Sequence, residues 1–122
     1  MQVMKVTSSI RDYQVTFVDT MSFIEELEQM KNRFYIIDKR VWDLYSASWG
    51  HLDEQRLLIL PISEEAKCLD TVMAVYDALM KSAAKRNMTM ISIGGGIIQD
   101  ITGFVASTLY RGINWIYVPT TL

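Results

Sequence analysis

A single cysteine, a single histidine and two prolines occur in 122 residues, and no apolar run approaches the length that crosses a bilayer. With Cys68 alone, no disulfide can form within the chain, and a reducing, cytoplasmic setting is expected. With His51 alone, a metal site built from two or more histidines is excluded, so no metal ligand is expected among these residues. Twelve basic side chains stand against 14 acidic ones, a net charge of -2, which gives no broad attraction to nucleic acid or to an anionic membrane. Neither is expected as a partner. Residues Met1 to Ile10 are interspersed with polar side chains and lack the continuous apolar stretch of a signal peptide.

What is present is a globular composition, 50% hydrophobic and 21% charged, in a chain of single-domain length. Such a chain buries roughly two thirds of its unfolded surface, enough for one real core. Alternation in Gln2 to Thr7 and in Tyr13 to Val18, with Ser8, Ser9, Arg11 and Asp12 between, predicts an amino-terminal hairpin. Ser22 and Glu25 have capping-box spacing ahead of Phe23, Ile24, Leu27 and Met30, which predicts a short helix to about Lys31. The compact runs Phe34 to Ile37, Leu57 to Leu60, Met88 to Ile93 and Trp115 to Val118 read as buried strands. Val41 to Tyr45 begins a further helix, and Ser46 to Glu54 reads as a loop.

The longest periodic stretch predicts one helix from Glu64 to Arg86, capped by Ser63, with Leu69, Val72, Met73, Tyr76, Leu79, Met80 and Ala83 on one face. Glu64 and Glu65 would complement its positive end, and Lys81, Lys85 and Arg86 its negative end. Strands alternating with helices from Phe34 onward predict an α/β fold: a Rossmann-like, mainly parallel sheet flanked by helices. The run Val118-Pro119-Thr120-Thr121-Leu122 passes from a strand straight to the terminus, and a truncated chain is expected on that ground.

Three glycines, Gly94, Gly95 and Gly96, separate the third run from a helical period carried by Ile97, Ile101, Phe104, Val105 and Thr108. Glycines between strand and helix allow close backbone approach, and amides at the helix start can hold a phosphate. They equally suit a tight turn with no ligand. The dinucleotide fingerprint GxGxxG is missed by one residue, because Gln99 stands at its third glycine. Asp100, in the first helical turn, is either a dipole partner or a hydrogen-bond acceptor for a polar ligand.

Read together, Gly94-Gly95-Gly96, Asp100, Gly103-Phe104 and Ala106, then Arg111-Gly112, then Val118-Pro119-Thr120-Thr121-Leu122, resemble the GGGxxxDxxGFxA, RG and VPTTL signature of dehydroquinate synthases, which are sugar phosphate cyclases. Pro61 to Lys67 resembles that family's PxGExxK segment, with Ser63 in place of the glycine. Tyr35 to Asp38 resembles its preceding strand and acid, with Arg40 where asparagine is frequent. The resemblance spans most of the chain from Phe34 onward.

It implies an NAD-binding amino-terminal domain over residues 1–122, without the carboxy-terminal helical domain whose glutamate and histidine ligands hold zinc or cobalt in the full-length enzyme. Asp38, Glu64 and Lys67 would surround the adenosine ribose, Gly95, Gly96 and Asp100 would meet the pyrophosphate and nearby ribose, and Thr120 and Thr121 would approach from the next strand. Arg111 would serve the substrate phosphate across a homodimer interface. Each residue has a plainer role open to it: Glu64 as a helix start, Lys67 as a solvated cation, the threonines as a turn, Arg111 as a helix-end charge. The implied activity is conversion of DAHP to 3-dehydroquinate and phosphate in the shikimate pathway, with no catalytic residue in this stretch and no turnover by it alone. Open alternatives are a cyclase making 2-deoxy-scyllo-inosose or a valiolone, and a non-catalytic nucleotide-binding or oligomerisation module. Glycerol dehydrogenase-like enzymes typically show GGGxxxDxxK, and Gly103 stands in place of that lysine.

Overall fold

The computed structural model describes residues 2–20, 22–82 and 87–120. Its elements in chain order are β1 (Gln2–Val6), β2 (Tyr13–Phe17), α1 (Phe23–Leu27), β3 (Arg33–Asp38), α2 (Lys39–Trp49), β4 (Leu57–Leu60), α3 (Leu69–Lys81), β5 (Thr89–Gly94), α4 (Gly96–Thr108) and β6 (Asn114–Pro119). Four of the strands form one parallel sheet in the order β4-β3-β5-β6. The expected parallel α/β architecture is therefore present, and so is the hairpin, as a separate antiparallel pair β1-β2.

Side-chain alternation along the two central strands divides the core. Phe34, Ile36 and Met90 face Val72, Val75 and Leu79 of α3 and Ile98, Ile101 and Val105 of α4. Tyr35, Ile37, Ile91 and Ile93 face Ile24 of α1 and Val41 and Trp49 of α2. Such burial on both faces is why these strands read as unbroken apolar runs. The flanking strands differ from expectation, because β4 and β6 are sheet edges and only partly covered; Trp115 keeps 37% of its surface exposed.

Three helical boundaries are corrected. Ser22 makes no capping bond, since its hydroxyl pairs with that of Thr20 at 2.6 Å, and α1 stops at Leu27 rather than near Lys31. Its last turn tightens into i→i−3 bonds from Gln29 to Glu26 and from Met30 to Leu27. Beyond it, Arg33 claims both the Glu28 carboxylate and the Met30 carbonyl. The loop expected from Ser46 is helical through Trp49, because Trp49 is buried at 2% exposure and packs on Tyr45 one turn earlier, ring centroids 5.3 Å apart.

The single helix expected from Glu64 is two pieces. Glu64–Ala66 form one 3-10 turn, the backbone re-extends at Cys68, and α3 begins at Leu69 with Cys68, not Ser63, at its cap position. Asp70 occupies the first turn of α3, the place assigned to Glu64 and Glu65, and Lys81 its last, as expected. The buried stripe is Val72, Val75 and Leu79, whereas Leu69, Met73 and Met80 are more than half exposed. Apolar residues on two faces of α3 made the periodic pattern ambiguous. Ala83, Lys85 and Arg86 lie outside the described residues.

The Glu28 carboxylate also accepts from the Tyr35 hydroxyl at 2.8 Å, which ties the end of α1 to the buried strand β3. Burial by itself would raise the Glu28 pKa, but the Arg33 and Tyr35 donors outweigh it and hold it below the ordinary glutamate value. A carboxyl that titrates lower in the native than in the unfolded state contributes fully above the ordinary range and loses that contribution as pH falls through its native value. Urea unfolding midpoints are thus expected to drop between about pH 6 and about pH 3, and to drop less steeply in Glu28→Gln. Parallel pH profiles for the two proteins would contradict this.

Candidate functional site

In the strand order β4-β3-β5-β6 the chain leaves β3 in one direction and returns on its other side, so the switch point lies between β3 and β5. Open parallel sheets bind ligands in the crevice outside the carboxyl ends of the strands flanking such a point. Here those ends are Asp38 and Gly94.

Gly94 has no room for a side chain: an added Cβ would lie 2.5 Å from Ile98 Cγ2 and 3.1 Å from Asp38 Cβ. Its carbonyl accepts from the Thr120 amide at 2.9 Å and from the Tyr117 hydroxyl at 3.1 Å, which pins the turn to the end of β6. Gly95 then takes the cap position of α4 with no side chain bonded to the first amides of that helix. Gly96 faces open space, with no heavy atom within 4 Å of where its Cβ would be. The first glycine of the three is a packing requirement, and the last is an opening.

That opening belongs to a cleft of about 660 Å³. Asp38, Glu64, Gly95, Gly96 and Thr120 all line it, so five of the residues singled out in the sequence are brought together. Asp38 caps α2, its Oδ1 accepting from the Arg40 amide at 2.9 Å. Lys67 and Asp100 form an ion pair at 2.9 Å beside the cleft, and Lys67 also lies 3.9 Å from Glu64. The Asp100 carboxylate holds the Lys67 ammonium above its ordinary pKa. Partial burial, with Asp100 adding to it, raises the Tyr117 phenol.

Arg111 is not in this cleft. It precedes β6, at the end of the sheet where Asn114 pairs with Thr89, whereas Gly94 pairs with Pro119 at the other end, about 17 Å away along the strand. Thr121 lies outside the described residues. Among the described residues no three His, Cys, Asp or Glu side chains gather as a set that could hold a metal ion.

Several lining residues were missed as such. Val41, Leu44 and Tyr45 of α2 supply an apolar wall with Ile62 and Ile97, and Arg40 adds a cation. Leu44 is 75% exposed, a large apolar side chain open to the cleft. The three α2 residues read in the sequence only as a helix start. Tyr117 was absorbed into a strand pattern, where nothing in its spacing marked its hydroxyl.

Fold and site together define a doubly wound α/β domain with a ligand cleft at the carboxyl ends of its central strands. A family model described as 3-dehydroquinate synthase N-terminal matches residues 57–122, more than half of the chain, and the chain belongs to that family. The 3-dehydroquinate synthase of Streptococcus equi subsp. equi (strain 4047) is 34% identical to it over 129 aligned positions, covering 99% of this chain and 36% of that protein. The 3-dehydroquinate synthase of Vesicomyosocius okutanii subsp. Calyptogena okutanii (strain HA) is 48% identical over 65 positions, 53% of this chain and 18% of that one. The chain thus spans little more than a third of the length of the first of these relatives.

Among solved structures, 2-deoxy-scyllo-inosose synthase complexed with carbaglucose-6-phosphate, NAD+ and Co2+ superimposes with a TM-score of 0.78 at 22% identity, over 98% of this chain and 35% of that one. That likeness establishes the fold alone. ValA, the 2-epi-5-epi-valiolone synthase of Streptomyces hygroscopicus subsp. jinggangensis 5008 with NAD+ and Zn2+ bound, gives a TM-score of 0.67 at 32% identity, over 77% of this chain and 28% of that one.

Because Gly94 is wedged between Ile98 and Asp38, Gly94→Ala is expected to destabilise the fold by about 1–3 kcal/mol, the usual range for overpacking. The urea midpoint measures it. An unchanged midpoint would mean that the strand end can yield.

Proposed function

We propose that the chain is the NAD-binding portion of a 3-dehydroquinate synthase, the enzyme that converts DAHP to 3-dehydroquinate and phosphate. One observation carries the reading: an open glycine turn, with an uncapped helix start behind it and two carboxylates in the same cleft. Backbone amides at Gly95 and Gly96 suit a pyrophosphate, which gains from the positive end of α4 and meets no Cβ at Gly96. Asp38 and Glu64 are acceptors for ribose hydroxyls, and Thr120 offers a hydroxyl from the end of β6. Lys67 and Asp100, joined as an ion pair, flank the pyrophosphate position from the segment before α3 and from α4. Thr121 is assigned to the same group by its place in the signature. The wall of Leu44, Tyr45 and Ile62 provides the apolar surface that a base requires.

Bound NAD supplies a hydride acceptor and donor. The residues of this chain bind and orient it, and none of them is assigned to the chemical step. Zinc or cobalt, which two related cyclases carry in part (Co2+ in one, Zn2+ in the other), is assigned to a carboxy-terminal region beyond these residues. Arg111, at the far end of the sheet, is assigned to the substrate phosphate of a second copy in a homodimer, where its planar guanidinium suits bidentate phosphate contact. The setting is cytoplasmic. The match to the 3-dehydroquinate synthase N-terminal family model and the 48% identity to one such enzyme over 65 positions support DAHP as the substrate of the whole enzyme.

Calorimetric titration tests the cofactor assignment. NAD is expected to saturate the 122-residue chain with a dissociation constant of about 0.1–1 mM, or about −4 to −5.5 kcal/mol. No saturation at several times that concentration would sink the reading. Gly96→Ala separates a binding glycine from a structural one, since its added methyl meets no protein atom. It is expected to leave thermal stability equal or slightly raised while weakening NAD by about tenfold or more.

A further inference from the structure

Arg40 lines the cleft together with Asp38 and Glu64, yet its guanidinium has no carboxylate within ion-pairing distance among the described residues. The neighbouring cations are engaged. Lys39 is held by Asp43 at 2.8 Å, and Lys67 by Asp100 at 2.9 Å. Arg40 is therefore a fork of donors lining the cleft with no ion-pair partner among the described residues.

Its place in the sheet gives that charge a specific use. Asp38 ends β3, the strand beside the glycine-bearing β5, and on the cofactor reading it accepts from a ribose hydroxyl; wherever a dinucleotide ribose is bound, an acid beside it suits the plain 2′-hydroxyl and an arginine nearby accommodates a 2′-phosphate. This chain has both within three residues. One oxygen of Asp38 is already bonded to the Arg40 amide, which leaves the other unengaged for a ribose hydroxyl. Resting on the cofactor reading above, we infer that Arg40 makes the ribose end of the cleft a site for a 2′-phosphorylated adenosine as well as for the plain diol, so that the chain takes NADP alongside NAD.

The Asp38 and Glu64 carboxylates oppose a phosphate, but Glu64 is exposed and Asp38 only half-buried in a wide cleft where solvent screens them, whereas a guanidinium–phosphate contact is direct and charge-assisted. The expected balance is dual acceptance. It is not a preference for the phosphorylated form.

Titrations of NAD and NADP into the chain and into Arg40→Asn and Arg40→Lys test this. In the unaltered chain NADP is expected to bind within about tenfold of NAD. Arg40→Asn should weaken NADP by about tenfold or more and NAD by less than about threefold, with Arg40→Lys restoring part of the difference. Added salt should weaken NADP more than NAD. NAD binding with NADP at least about a hundredfold weaker overturns this inference alone, as does an Arg40→Asn variant that loses both dinucleotides equally. Binding of neither overturns the cofactor reading and this inference with it.

Discussion

The close approach of three chain segments at Gly94 sets the geometry on which the site depends. The end of β5, the first turn of α4 and the end of β3 meet with no space for a methyl group, since Ile98 and Asp38 already fill the position of a Cβ. Both strands are buried on both faces, so neither can shift sideways without disturbing two layers of core. The glycine therefore lets α4 start directly above the sheet edge of the cleft. From that constraint follow the orientation of the α4 amides, the exposure of Gly96 and the position of Asp38 across the crevice.

The fold was legible where burial imposes a pattern. The central strands Phe34 to Ile37 and Met88 to Ile93 are apolar at every position or nearly so because each faces helices on both sides. Boundaries were less legible where tertiary partners decide them. Nothing local in Ser46 to Trp49 reveals that Trp49 will bury itself and extend α2, and nothing in the Ser22 spacing reveals that its hydroxyl will turn to Thr20. In α3 the sequence offers two apolar stripes, and only packing against the sheet selects Val72, Val75 and Leu79.

The site was legible through linked motifs rather than through single residues. Asp38, Glu64, Gly95, Gly96 and Thr120 come from three strand ends and a loop separated by up to 82 positions, and the parallel topology gathers them because all three strands end on the same side. The α2 wall was not legible, since Leu44 and Tyr45 look like ordinary members of an amphipathic helix. Their exposure toward the cleft is a property of how α2 leaves β3, not of their spacing.

The break between Glu64 and Cys68 links fold to site. A continuous helix from Glu64 would satisfy more backbone hydrogen bonds than the single 3-10 turn and re-extended backbone that are present. What the break provides is a short segment free of helical direction, in which Glu64 faces the cleft while Lys67, three residues on, reaches Asp100 on α4. The ion pair is exposed and screened, so it contributes little to stability. Its consequence is positional: it joins the segment before α3 to Asp100 in the second turn of α4, one turn later than the sequence placed that acid and just beyond the turn that Gly94 holds against the sheet. The glycine turn and the interrupted helix are thus two halves of one arrangement, with packing fixing the first and a surface charge pair aligning the second to it.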